Sequence, residues 1–158
     1  MHALVAAGAA LAIAGTEMLM TPEQLPSSLG MAPPAVAAAV ALSDDRLEDC
    51  MHRLGDGTHD HAKYLRARRI DLNGDEAPDY LVRPVLECND EFLGAHAMSF
   101  WLLAGRKGGG LDVVLSDAED SVTLLETRTR GFRDVEVAYS VTVMSLRFNG
   151  KRYVGHTL

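Results

Sequence analysis

The chain has 158 residues, enough to bury one real core, and its 15 basic and 22 acidic residues give a net charge of −7. That balance excludes a general nucleic-acid binder, which needs a basic face to neutralise phosphates. Charge is also unevenly placed: Ala and Met dominate before Asp44, while nearly all charged residues and every aromatic follow it.

The run from Ala3 to Gly15 is small and apolar. It is too short for a comfortable membrane span. It fits the apolar region of a secretory signal, with Ala12-Ile13-Ala14 as a small-x-small cleavage pattern and Ala39-Val40-Ala41 as a second. Only His2 precedes it where a signal carries positive charge, and no lipobox Cys follows. An ordinary Ala-rich helix is the alternative. The expected organisation is a signal-like leader over 1–20, a Pro/Ser-rich linker over 21–34 and one globular domain over 35–158. The expected location is periplasmic or secreted, with no membrane span in the mature form. In such an oxidising compartment the two cysteines, Cys50 and Cys88, read as a disulfide. In cytosol the same pair would be two unrelated thiols.

Within Thr21 to Pro34 four prolines and a glycine break regular structure. Ala35 to Leu54 can be helical: Ser43, Asp44 and Asp45 offer caps for its second half, and Leu47, Cys50, Met51 and Leu54 share one face. Gly55-Asp56-Gly57 ends it. The period then changes to two. Strands are predicted over Tyr64–Ile70, Tyr80–Leu86, Met98–Ala104, Leu111–Leu115, Val122–Thr127, Val135–Val141, Met144–Phe148 and Arg152–Val154. A Gly-rich turn at Lys107–Gly110, a polar turn at Ser116–Asp120 and the hairpin signal Asn149-Gly150 separate them. The sum is an α+β domain: an N-terminal helix packed on an antiparallel β-meander of seven or eight short strands.

Asp71-Leu72-Asn73-Gly74-Asp75-Glu76-Ala77-Pro78-Asp79 is the most informative segment. Side-chain oxygens recur at every second position, as a hard cation such as calcium requires. Asp71, Asn73, Asp75, the Ala77 carbonyl and Asp79 are the candidate ligands. Glu76 stands at the sixth position, where Gly would ease the turn, and Val82 at the twelfth, where an EF-hand places Glu. With strands on both sides, an EF-hand is excluded. A strand–loop–strand calcium site and a turn held by Asx side chains bonding the backbone both remain.

Arg69-Ile70-Asp71-Leu72-Asn73-Gly74-Asp75 with Pro78-Asp79-Tyr80-Leu81-Val82 resembles the FG-GAP/VCBS-type calcium loop of integrin-like proteins. The wider region from Tyr64 to Val154 resembles a group of small exported bacterial proteins. The shared marks are Cys88 with Gly94-Ala95, Phe100-Trp101 before Gly108-Gly109-Gly110, Thr127 to Asp134, and Arg147 to Tyr153. The resemblance implies the architecture, export and the calcium ligands named above. It implies no reaction.

Three other constellations carry chemistry. His59-Asp60-His61, with His52 nearby, offers imidazoles to zinc or is a solvated loop. Arg128, Arg130 and Arg133 surround Phe132, and a guanidinium pair there suits a carboxylate or phosphate. This is the candidate recognition edge, against a charged outer strand face paired with Glu126, Asp134 and Glu136. Glu119 and Asp120 fall in a predicted turn, where carboxylates have ordinary acidity. No nucleophile elbow, Walker loop or dinucleotide fingerprint is present. The expectation is a small exported, non-enzymatic binding domain for a protein or cell-envelope ligand, calcium-stabilised at its loop. An inhibitor or immunity protein against an envelope-acting enzyme is its concrete form. The alternatives are a hydrolase whose carboxylates assemble only in the fold, and a structural calcium-binding module.

Overall fold

A computed structural model of the chain describes residues 15–92 and 97–155. The strands are β1 (Glu17–Met20), β2 (Gly30–Met31), β3 (Leu65–Ile70), β4 (Asp79–Pro84), β5 (Met98–Gly105), β6 (Leu111–Glu119), β7 (Ser121–Thr129), β8 (Phe132–Tyr139), β9 (Thr142–Phe148) and β10 (Tyr153–Gly155). The helices are α1 (Pro34–Ser43), α2 (Arg46–Arg53) and the single turn α3 (Asn89–Phe92). The class is α+β, but the strands form two five-stranded antiparallel sheets, ordered β1-β7-β8-β9-β10 and β2-β3-β4-β5-β6.

This corrects the single meander, and β5 shows why. Phe100, Leu102 and Ala104 enter a core shared by both sheets, while Trp101 and Leu103 enter a second core against α1 and α2. A strand buried on both faces reads as one continuous apolar run and needs a layer on each side. The architecture is therefore sheet on sheet with helices outside. The chain changes sheet at Asp120, the only residue between β6 and β7. Its N–H donates to Ala138 O at 2.8 Å, and its carboxylate accepts the Ser140 N–H at 2.7 Å. The expected turn from Ser116 is instead strand: β6 is an edge strand, so Ser116 and Asp117 face solvent without ending it.

The segments assigned to leader and linker also carry structure. Glu17–Met20 pairs with β7, and Leu19 and Met20 lie in the inter-sheet core. Gly30–Met31 pairs with β3. The Ala12-Ile13-Ala14 pattern and Gly94-Ala95 lie outside the described residues. Ala39-Val40-Ala41 sits within α1, where Val40 is fully buried.

The expected long helix is two. Pro34 starts α1 with its φ already helical. Asp44 is extended, and its carboxylate accepts the Arg46 N–H at 3.2 Å, so α2 begins afresh. Glu48 and Asp49 in the first turn of α2, and His52 and Arg53 in the last, complement its dipole. Its end is a Schellman motif: Gly55 at φ 71° donates to His52 O, and Asp56 donates to Met51 O. Cys50 of α2 and Cys88 form the expected disulfide, with Cα atoms 5.4 Å apart, and it ties α2 to the segment after β4.

Candidate functional site

The acidic loop is the turn of the β3–β4 hairpin, as expected, and Leu72 inside it is fully buried in the inter-sheet core. Its oxygens accept bonds from the loop itself. Asp71 Oδ1 accepts the N–H groups of Asn73 and Gly74 at 3.2 and 2.6 Å. Asn73 Oδ1 accepts from Asp75 N–H at 3.1 Å, and Asp75 Oδ1 from Ala77 N–H at 3.0 Å. These are stacked Asx turns. Asp79 is only 1 % exposed and spans two segments: Oδ2 accepts the Leu72 N–H at 2.7 Å and Oδ1 the Gly105 N–H at 3.0 Å. Burial pushes its pKa up, helped by Asp75 and Asp71, against the two N–H groups that hold it down. Gly105 is obligatory here, since a Cβ would stand 2.4 Å from Pro78 O. Ala77 lines a neighbouring hollow with Pro78 and Gly108. Among the described residues no group of three or more His, Cys, Asp or Glu side chains is arranged to hold a metal.

The histidine loop is organised by Glu48. One carboxylate oxygen meets His61 Nε2, and the other lies 3.7 Å from His59 Nδ1. His52 is on α2 and exposed.

The structure divides the four residues of the expected recognition edge. Arg133 is buried. Its Nε donates to Leu125 O at 2.9 Å, its Nη2 to Gly15 O at 2.6 Å and Leu124 O at 3.1 Å, and Nη1 lies 3.7 Å from Glu17. Leu124 O and Leu125 O lie at a bulge where Leu125 to Thr127 face Asp134 alone, and Gly15 O precedes β1, so Arg133 is a strut and offers nothing to a ligand. Arg128 donates to Gly131 O at 2.9 Å and stands over Gly74 of the acidic loop. Arg130 and Gly131, at φ 52° and 84°, form the two-residue turn from β7 to β8. Arg130 reaches across to Gly150. Phe132 stacks on Phe148, with centroids 3.9 Å apart and planes 18° apart.

That stack is part of a cleft of about 590 Å³ at the open edge between the two sheets. Arg106 comes from the β5–β6 turn, and Lys151 and Arg152 come from the β9–β10 turn. Asp112 is the one acid lining it, 3.6 Å from Arg106. Among the described residues, Lys151 and Arg152 make no ion pair. Sequence reasoning found Phe132 but missed Arg106, Lys151 and Arg152. The available signal was that each pair of adjacent basic residues, Arg106-Lys107 and Lys151-Arg152, abuts one of the two strongest hairpin turns.

Further along the same open edge is an apolar hollow of about 340 Å³ lined by Ala97, Ala118, Glu119, Val137 and Met144. Glu119 is the last residue of β6 rather than part of a turn. Its burial, with Asp117 and Asp120 nearby, pushes its pKa up, correcting the expectation of ordinary acidity.

Comparison of the chain with protein-family models, curated proteins and solved structures finds no match.

Proposed function

We propose that the protein is an exported, non-enzymatic binding domain that takes an anionic group of a protein or cell-envelope ligand in the cleft at the open sheet edge. The observation that carries this reading is the gathering of Arg106, Lys151 and Arg152 around the Phe132–Phe148 stack in a chain of net charge −7. An aromatic floor supplies area and stacking, and unpaired cations supply attraction for a carboxylate or phosphate. The disulfide favours an oxidising compartment, where such bonds persist. No helix among the described residues is long and apolar enough to cross a membrane. In its concrete form the domain inhibits an envelope-acting enzyme by presenting this edge to it. Calcium, if bound, acts only as a stabiliser of the β3–β4 turn.

Calorimetric titration of the full chain with muropeptides as anionic envelope fragments tests the reading. Binding should weaken as salt rises. It should fall about tenfold or more when Lys151→Glu and Arg152→Glu are combined, each lost charge contact contributing about 1 kcal/mol. Affinity indifferent to both salt and charge reversal, or no binding at all, would sink it.

A hydrolase is the second reading, favoured by Glu119 alone. An apolar wall that raises a carboxyl's pKa moves it toward the range a general acid requires. Its neighbours are otherwise engaged: Asp120 accepts the Ser140 N–H, and Asp117 the Ala118 N–H. Loss of any detected glycan- or ester-hydrolysing activity in Glu119→Gln, with folding unchanged, would support this reading over the first.

A further inference from the structure

Arg83 of β4 is 4 % exposed and has no carboxylate partner among the described residues. No Asp or Glu lies outside those residues, so the chain has no other acidic side chain to offer. Among the described residues, Nη1 donates to Gln24 O at 2.5 Å, Nη2 meets only the Met98 thioether at 3.1 Å, and the buried Nε has no partner. Burial alone lowers its pKa, yet a guanidinium stays protonated in proteins. A buried charge left uncompensated is costly, and selection retains such a charge where something answers it.

The other arginines of the chain identify what answers such a group. Two other arginines of this chain engage carboxylates through the Nε–Nη2 edge. Arg46 holds Asp44 at 2.9 and 2.6 Å, and Arg53 holds Glu91 at 2.5 and 3.0 Å. In Arg83 the same edge meets only a weak sulfur acceptor. Arg83 lines a cavity of about 80 Å³ walled mainly by Pro22, Leu25, Pro26 and Phe92, with Gln24, Asn89 and Ser99 as its other polar residues. We propose that this cavity is a binding site for a single carboxylate, held by the Arg83 guanidinium and assisted by the Asn89 amide. The volume suits a carboxylate bearing one or two carbons and is far below that of a sugar or nucleotide site. One positive charge among apolar walls matches a monoanion, whereas phosphate would leave charge unanswered. The site is separate from the basic cleft and does not depend on the function proposed for it.

Phe92 couples the cavity to a built-in reporter. Its ring meets Trp101, the only tryptophan, edge-on at 5.3 Å. The full chain is titrated with sodium acetate against sodium chloride at matched ionic strength, following Trp101 emission and Tm. Acetate should change the emission saturably and raise Tm by roughly 3 °C or more at saturation, where chloride does neither. Arg83→Met should lose both responses and melt no lower than wild type without acetate. Arg83→Lys, which keeps the charge but not the planar fork, should weaken the response about tenfold or more. The capped tripeptide acetyl-Gly-Glu-Gly-amide separates the sources. A response to acetate alone assigns a free small acid, and a response to the peptide assigns a partner's side chain. A wild-type protein indifferent to acetate in both emission and Tm overturns the proposal, whether or not Arg83→Met folds. So does an Arg83→Met protein that still responds.

Discussion

Arg133 and Arg83 are buried to the same degree, each 4 % exposed, yet their surroundings are opposite. Arg133 fills a bulge whose carbonyls aim at it, with Glu17 in reach. Arg83 keeps one carbonyl, one thioether and an orphan Nε. The carboxylates repeat the contrast. Asp79 is buried and bonded to two backbone N–H groups, whereas Glu119 is 8 % exposed in an apolar hollow with no hydrogen bond among the described residues. Burial thus has two meanings in one fold. A charge answered by the chain is architecture, and a charge the chain leaves unanswered marks a surface built for something else.

The largest expected effect comes from removing the answered cation. Arg133→Met strands three carbonyls and should cost about 3–5 kcal/mol in denaturant unfolding. Arg83→Met should be neutral or stabilising by about 1 kcal/mol in the same assay. Equal losses at both positions would erase the distinction.

Asp79→Ala comes next. It orphans the buried N–H groups of Leu72 and Gly105, at about 2–4 kcal/mol together. Chemical denaturation near pH 7 measures it. A cost below about 1 kcal/mol would show that the Asx turns alone hold the loop.

Glu119→Gln should act in the other direction and more weakly. The folded-state pKa of Glu119 is raised, so the native state holds its proton more tightly than the unfolded chain does. Its contribution to stability is present at low pH and is lost as pH rises through the folded value. The substitution should therefore stabilise near neutrality, by less than about 1 kcal/mol, and the two proteins should converge once the carboxyl is protonated. Tm against pH for both proteins decides it, and a Glu119→Gln protein less stable at pH 7 would contradict the unanswered role.

The smallest effect expected is that of millimolar calcium. Asp71, Asn73 and Asp75 already give oxygens to the loop's own N–H groups, so Tm should move by less than about 2 °C. A larger rise, reversed by chelator and absent in Asp75→Ala, would show that these oxygens turn to a cation.

Much of the fold was legible in the sequence. The Tyr64–Ile70 and Tyr80–Leu86 strands became β3 and β4 within a residue or two, because alternation and the Asx-rich turn are local. Of the recognition edge only Phe132 joins the cleft directly. Arg128, Arg130 and Arg133 look alike in the sequence, and nothing local tells a strut from an exposed cation. The N-terminal reading went furthest astray because Glu17–Met20 is too short to announce a strand without its partner, β7.

The sequence by itself determined the places where the chain extends, turns and caps, and it brought Cys50 and Cys88 forward as a pair. Those outcomes follow from backbone preferences and from side chains a few residues apart. Only the tertiary structure decided that the strands split into two sheets at Asp120, that Glu119 is walled in, and that Arg83 is left with an open edge. The physical reason is range. The acceptor of Arg83 Nη1, Gln24 O, is 59 residues away, and Arg133 reaches Gly15 O across 118. What answers a buried charge is set by which distant segments close over it, and no local pattern encodes that.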